Sequence, residues 1–289
     1  MAGIAEKFMI MEKKMDTLEG WFKGEALNLM ENVTKELEPI VARAMRDPKY
    51  KIELPGRKRY NTLFEEFMMS GTIAGYKTAR DEIKVKMGQV KDVKLTSIYD
   101  PFVWTEKGMI PTDAVTWMDN WTDHFGNGYY GDATDSVVEV LKTGIKEGYS
   151  HEEIMGQLSE VLKGPQFNMA RLETISRTNM TTSFNVGRVI LFKEHRDFVP
   201  AMQFSSILDE RTTFICFERH GHIMLIDDND TILSEMPPLH YNCRSMLLPI
   251  TIYEIREIDN YENLTNWKGL EKPQIGINQV PKGLQPNFL

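Results

Sequence analysis

Only two cysteines, Cys216 and Cys243, occur among 289 residues. That excludes a disulfide-rich secreted scaffold and a four-cysteine zinc module. No run of 18 apolar residues is present, so no membrane-spanning helix is expected. The chain has no Gly-x-x-x-x-Gly-Lys-Ser/Thr loop to cradle phosphates and so is not expected to be a packaging motor. Its start, Met1-Ala2-Gly3-Ile4, runs on to Glu6 and Glu12 in a helical pattern, unlike a signal peptide. Basic residues are in deficit: 34 Lys and Arg face 42 Asp and Glu, a formal charge of -8. A surface-wide nucleic-acid coat is thereby excluded, although a local basic patch is not. With 42% hydrophobic and 26% charged residues, the composition is that of a folded globular protein. Its length suits one or two domains. These features point to a reducing cytoplasm or a particle assembled there.

Charge divides the chain. Residues 1–100 carry 18 basic and 16 acidic side chains, residues 101–170 carry 4 and 11, and residues 171–289 carry 12 and 15. In the first segment, Ile4, Phe8, Met11, Met15, Leu18, Phe22, Ala26, Leu29, Val33, Leu37, Ile40 and Ala44 recur with a mean step of about 3.6, the α-helical period. Pro39 is expected to kink or break this helix. Two uses of its Met-rich face stay open: packing on its own protein or docking on another subunit. Docking is the expectation, with the arm fastening the protein to its partner. Lys49, Lys51, Arg57, Lys58 and Arg59 form one basic cluster, and Lys84, Lys86, Lys91 and Lys94 another. Each is a solvated face or a phosphate-contacting patch. A helix is predicted from Asn61 to about Met87, with Gly71 and Gly75 allowing close packing.

The middle reads as a helical scaffold. Residues 95–111 and 123–133 have loop composition. Thr112 can cap a short helix carrying Val115, Trp117, Met118 and Trp121, and Thr134 or Asp135 can cap another that ends at Gly148. Ser150-His151-Glu152-Glu153 is a capping box, opening a helix that stops at Gly164-Pro165. A long helix follows, from about Asn168 to His195. Its stripe Arg171, Thr174, Thr178, Thr181, Asn185 and Arg188 steps by three and four residues, so it lines one face. Thr is a poor helix former and solvated faces favour Lys and Glu. A polar seam is therefore expected, with hydroxyls bonding to loop backbone. Glu173 and Arg177 can pair beside it. Strands are expected at Ala201–Ile207 and Met246–Ile250, with Ile215-Cys216-Phe217 leading to a turn at Gly221 and the apolar run Ile223–Ile226. The predicted class is α+β: a mainly helical N-terminal half, then a small module of one long helix on a few antiparallel strands. Its divisions are 1–122, 135–252 and an extended tail at 253–289, where Pro273, Gly276, Pro281, Gly283 and Pro286 accumulate.

Four pieces occur in order: Arg171-x-Glu173-Thr174-x-x-Arg177-Thr178, Asn185-x-x-Arg188, Asp209-x-Arg211-Thr212-x-x-x-Cys216, and Pro237-Pro238-x-His240-x-Asn242-Cys243-Arg244. Together they resemble the head morphogenesis domain of tailed phages, the family named after the F protein of phage Mu, across about residues 135–252. Two positions depart from its pattern: Ser245 where Cys-Arg-Cys is usual, and Asn179 where many members carry an acid. The resemblance implies a minor capsid protein that associates with the portal during procapsid assembly and sits inside the head. Scaffold or major capsid protein are further implied partners, and an influence on DNA packaging or ejection is implied as well. Larger relatives append a toxin enzyme, for which no room is expected after residue 252. DNA contact, if made, falls to Lys49, Lys51, Arg57, Lys58 and Arg59. No membrane association is expected.

No enzyme is expected, and no catalytic residue, metal or cofactor is assigned from the sequence. Other chemistries remain on the page. Cys216, Cys243 and His240 can ligate zinc, with His220 or His222 as a fourth ligand. The same cysteines can be free core thiols or a disulfide. Proximity of Cys216 and Cys243 is expected in each case, since both flank turns of one small sheet. His220, Asn242 and His240 have the residue types of a His-Asn-His nuclease but not its order. Cys216 or Cys243 with His240 could form a nucleophilic pair. The alternative function is thus a DNA-handling protein or metal-dependent nuclease. Asp209 and Arg211 are expected to hold the strand-end loop, with Arg244 clamping the His240 loop.

Overall fold

The computed structural model describes residues 2–47, 50–51, 53–88, 121, 131, 135–163 and 169–275. The loops expected at 95–111 and 123–133, the helix capped by Thr112, Lys49, Lys91, Lys94 and the tail beyond residue 275 lie outside the described residues, save residues 121 and 131. The helices α1 (Ala2–Arg46), α2 (Arg57–Gly88), α3 (135–147), α4 (His151–Lys163) and α5 (Met169–Glu194) come first. They are followed by β1 (Ala201–Ser205), α6 (Phe214–Arg219), β2 (Ile223–Leu225), α7 (Asn229–Glu235), β3 (Met246–Ile250), a 3-10 turn at Glu254–Glu257 and α8 (Tyr261–Leu264). The α+β class read from the sequence holds, with helices first and a small antiparallel sheet after. No described helix is long and apolar enough to cross a membrane.

Contacts divide the chain into two units whose segments alternate along the sequence. One comprises Glu19–Phe67 and Asp119–Ser176. Here Phe22, Ala26, Met30, Val33, Leu37, Val41 and Ala44 of α1 are buried. The stripe passes through Met30 and Val41 where Leu29 and Ile40 were expected, at the same helical period. Phe22 stacks on Phe67 at 4.5 Å and meets Phe64 edge-on at 5.8 Å. The expectation of a free docking face is therefore corrected for this stretch of α1: its apolar stripe is covered by its own chain. Pro39 does not break α1. Its ring stands on the exposed side while Leu37 and Val41, on either side, are fully buried, so packing holds the turn that lacks one hydrogen bond. Gly148 ends α3 at φ +76. The N–H of Tyr149 reaches Gly144 O and that of Gly148 reaches Ile145 O, a Schellman ending that glycine permits. The capping box of α4 forms as expected: Ser150 N–H donates to Glu153 Oε2 at 2.7 Å, and Glu153 N–H to Ser150 Oγ at 3.2 Å.

The other unit comprises Met1–Leu18, Met68–Met118 and Arg177–Leu289. At its centre α5 is buried without interruption from Thr178 to Phe192. It lies backbone to backbone on α2: a Cβ at Gly75 would sit 1.9 Å from Phe184 O, and one at Gly187 would sit 2.0 Å from Thr72 O. The sheet has the order β2-β1-β3, antiparallel throughout, with Met202 opposite Met224 and Phe204 opposite Leu247. Met15 of α1 packs with Phe184 and Met246. Two local readings are corrected. The residues leading to the turn at Gly221 form a helix, Phe214–Arg219, to which the sequence reading gave no structure, and α7 was not anticipated. Asp228 caps α7 by accepting from Thr231 N–H and Oγ1. The chain after β3 also differs from an extended tail. Ile255, Ile258, Tyr261 and Leu264 pack on Ala201, Ile223 and Ile250, and Trp267 Nε1–H donates to Ile223 O. The apolar residues around the short helix supply a packing face that the Pro and Gly count obscures.

Candidate functional site

The polar stripe of α5 binds backbone. Thr178 Oγ1 accepts from Asn242 N–H at 3.1 Å, and Thr181 Oγ1 donates to Cys243 O at 2.6 Å. Asn185 donates to Ser245 O and accepts from Leu247 N–H at 2.9 Å, and Arg188 Nε–H donates to Leu247 O at 2.6 Å. Four residues over about three helical turns thus track the segment 242–247. Leu247 offers α5 both its N–H and its C=O, so side chains cover the edge of β3 that β1 does not pair. This seam explains the Thr and Asn content of a buried helix face: each hydroxyl or amide has a backbone partner, which a buried polar group requires. Arg188 is anchored further by Glu82 of α2, at 3.2 and 2.7 Å.

Arg171, Glu173 and Thr174 stand earlier on α5, in the other unit. Thr174 Oγ1 donates to Ala170 O within the helix. Arg177 meets Asp16 of α1 at 3.5 Å.

A second cluster ties the motif loops together. Arg244 grips Asp209 with both terminal nitrogens, at 2.9 and 2.5 Å. Asp209 also accepts from Arg211 N–H, and its own N–H donates to Thr212 Oγ1, which donates to Ile207 O. The Arg244 guanidinium, helped by the Arg211 N–H, holds the Asp209 carboxyl well below the usual carboxylate range against the opposing effect of desolvation. The role expected of Arg211 is corrected. Its guanidinium is 66% exposed and stands 3.5 Å from Asp209, so the clamp rests on Arg244 and on the Arg211 backbone. Asn242 adopts φ +59, a left-handed conformation that Asn tolerates, and this turns its N–H toward Thr178.

Beneath the clamp, Cys216 of α6 meets the loop 237–245. Cys216 Sγ lies 3.7 Å from Cys243 Sγ and 3.1 Å from His240 Nε2. The expected proximity of the cysteines holds, and both are free. Each of the three residues is buried. His240 Nδ1–H donates to Tyr241 O at 2.8 Å, which fixes the proton on Nδ1. Burial pushes the Cys243 thiol up, but hydrogen bonds from Cys216 and His240 outweigh it and hold Cys243 below the ordinary thiol range. Cys216 is raised, its proton retained by the hydrogen bond to Cys243 and by burial. Burial lowers His240, and the Cys243 sulfur raises it by more. A nucleophilic Cys–His pair would need an approach for substrate, which this burial does not offer. Of the nuclease-type residues His220, Asn242 and His240, two have structural bonds: the ring of His220 accepts from Ser206 N–H, and His240 Nδ1–H donates to Tyr241 O.

Sequence reasoning missed Arg219 and Glu82. Arg219 is 1% exposed and donates to Glu235, Glu218, Ile215 O and Glu271 O, joining α6, α7 and the C-terminal segment. No local signal marks it. Glu82 was visible in principle, since it falls three residues after Ala79 on the buried face of α2. The basic cluster is partly neutralised: Arg59 pairs with Glu36 at 2.7 Å and Lys51 with Glu53 at 3.3 Å, while Arg57 and Lys58 are exposed. Lys86 bonds Glu254 and Pro249 O, a structural use.

Residues 135–248 match the family model described as Phage Mu protein F like protein. The resemblance read from the sequence therefore holds over this segment. An uncharacterized protein of Methanocaldococcus jannaschii is 28% identical over 131 residues, which is 45% of this chain and 20% of that protein. The match thus spans about a fifth of the relative's length. No solved structure matches the chain.

Proposed function

Because residues 135–248 belong to the phage Mu F-like head morphogenesis family, we propose that the chain is a minor head protein of a tailed phage or prophage. It associates with the portal during procapsid assembly, contacts scaffold or major capsid protein, and resides inside the capsid after assembly in the host cytoplasm. Its work is structural rather than enzymatic, with an influence on DNA packaging or ejection. Lys49, Lys51, Arg57, Lys58 and Arg59 provide weak, non-specific DNA contact. The observation that carries this reading is the family match, whose segment includes all four motif pieces. In support, the buried side chains of Thr178, Thr181 and Asn185 bond to backbone of the segment 242–247, a structural use of the polar stripe. Around that module Leu208, Phe214, Phe217 and Tyr241 expose apolar surface that a protein partner could cover.

Co-expression with the neighbouring portal protein, followed by pull-down, tests the reading. Retention of portal supports it, and a folded chain that binds neither portal nor capsid protein rejects it. Degradation of DNA on addition of magnesium or zinc would favour the rival, a metal-dependent nuclease.

A further inference from the structure

We propose that Cys216, Cys243 and His240 form a zinc site that fastens α6 to the loop carrying His240 and Cys243. The three ligand atoms lie within 4.8 Å of one another, and all three residues are buried. Two thiolates at about 2.3 Å from a tetrahedral zinc stand about 3.8 Å apart. The two sulfurs are 3.7 Å apart, whereas a disulfide requires about 2.05 Å. The Cys216–His240 edge, 3.1 Å, must open by about 0.4 Å to reach the same geometry, a side-chain adjustment.

Two further observations concern the shell behind the ligands. His240 gives its Nδ1–H to Tyr241 O at 2.8 Å, so the Nε2 lone pair faces the sulfurs. Metal-binding histidines are oriented in this way by a backbone carbonyl or carboxylate. The Cys243 sulfur accepts the backbone N–H of Ser245, and the Ser245 hydroxyl lies against the Cys216 sulfur. The Thr213 hydroxyl is buried and lies against the Cys216 sulfur. The Thr213 and Ser245 hydroxyls thus flank the Cys216 sulfur, and Ser245, two residues past Cys243 and hydrogen-bonded to Ser206 at 3.1 Å, is the candidate for a fourth ligand.

Charge favours the same conclusion. Two thiolates and a neutral imidazole cancel the charge of a dication, which a buried site requires. Both thiol protons leave to solvent when the ion binds. Burial of every ligand closes the site to substrate, so the metal acts as a structural staple. It joins segments 24 and 27 residues apart that the small sheet does not itself connect. His220 and His222, the fourth ligands considered from the sequence, are not members of the group.

The test uses the full chain, expressed with zinc in the medium and purified under reducing conditions without a metal-affinity tag. The expected result is about one zinc per chain, and a melting temperature lowered by a strong chelator and restored by zinc. Cobalt added to the reduced, metal-free chain should give thiolate-to-cobalt charge transfer and the visible absorption of a tetrahedral ion. Cys216→Ser and Cys243→Ser should each lose the metal, while His222→Ala retains it. Ser245→Cys should resist chelator concentrations that strip the native chain. A metal-free chain whose melting temperature ignores zinc, with no cobalt–thiolate absorption, overturns the proposal. The cobalt spectrum of the native chain decides the matter even if a cysteine variant does not fold.

Discussion

Arg188 of α5 and Glu82 of α2 form a bidentate ion pair, at 3.2 and 2.7 Å, with the Arg188 side chain fully buried and Glu82 6% exposed. Arg188 Nε–H donates to Leu247 O. One guanidinium therefore joins two helices and the edge strand. Glu82→Ala leaves that charge uncompensated, and denaturant unfolding should show a loss of about 3–5 kcal/mol. The double variant Glu82→Leu, Arg188→Met should lose less than either single truncation, because it removes both buried charges. If the single and double losses simply add, the two residues do not act as a pair.

The contact of α2 with α5 makes a second expectation. Gly75→Ala and Gly187→Ala each force a methyl into backbone, at 1.9 and 2.0 Å. Each should cost about 3 kcal/mol in unfolding experiments. Gly24→Ala serves as the control, since a methyl there meets nothing within 4 Å. It should stabilise α1 slightly, by up to about 1 kcal/mol.

The Asp209–Arg244 clamp should respond to acid. Asp209 is depressed in the folded state, first by the Arg244 hydrogen bonds. A depressed carboxylate contributes stability that is present above its ordinary value, about 3.9, and disappears as pH falls toward the folded-state value. The melting-temperature gap between the native chain and Asp209→Asn should be full near neutrality and close progressively below about pH 4. A gap independent of pH would show that the carboxylate charge is not what the clamp uses.

Phe214 and Phe217 occupy one face of α6 and are 64% and 59% exposed. Replacing both by Ser should leave the melting temperature nearly unchanged, because neither side chain supports the core. Portal capture in the pull-down should fall at least tenfold if this face meets the partner. Unchanged capture would move the contact elsewhere on the chain.

Much of this molecule could be read locally. The 3.6 period of α1 and the capping box at Ser150 and Glu153 depend on neighbours within four residues, where hydrogen-bonding rules act directly. The stripe on α5 carried more. Thr178, Thr181, Asn185 and Arg188 announced a buried polar seam because Thr and Asn gain nothing on a solvated helix face. What the seam touches was not legible, since its partners lie 59 to 64 residues downstream. Glu82, 106 residues before Arg188, could be recognised as a charge on a buried face but not as that arginine's partner. The same limit explains α6, which was not read from Ile215-Cys216-Phe217: its buried Cys216 and Arg219 find their partners His240, Cys243 and Glu271 at 24 to 52 residues downstream. It also explains α1, whose apolar face was evident while its occupant was not. Residue types set which groups must be satisfied, and the path of the chain between distant segments decided which partners satisfy them.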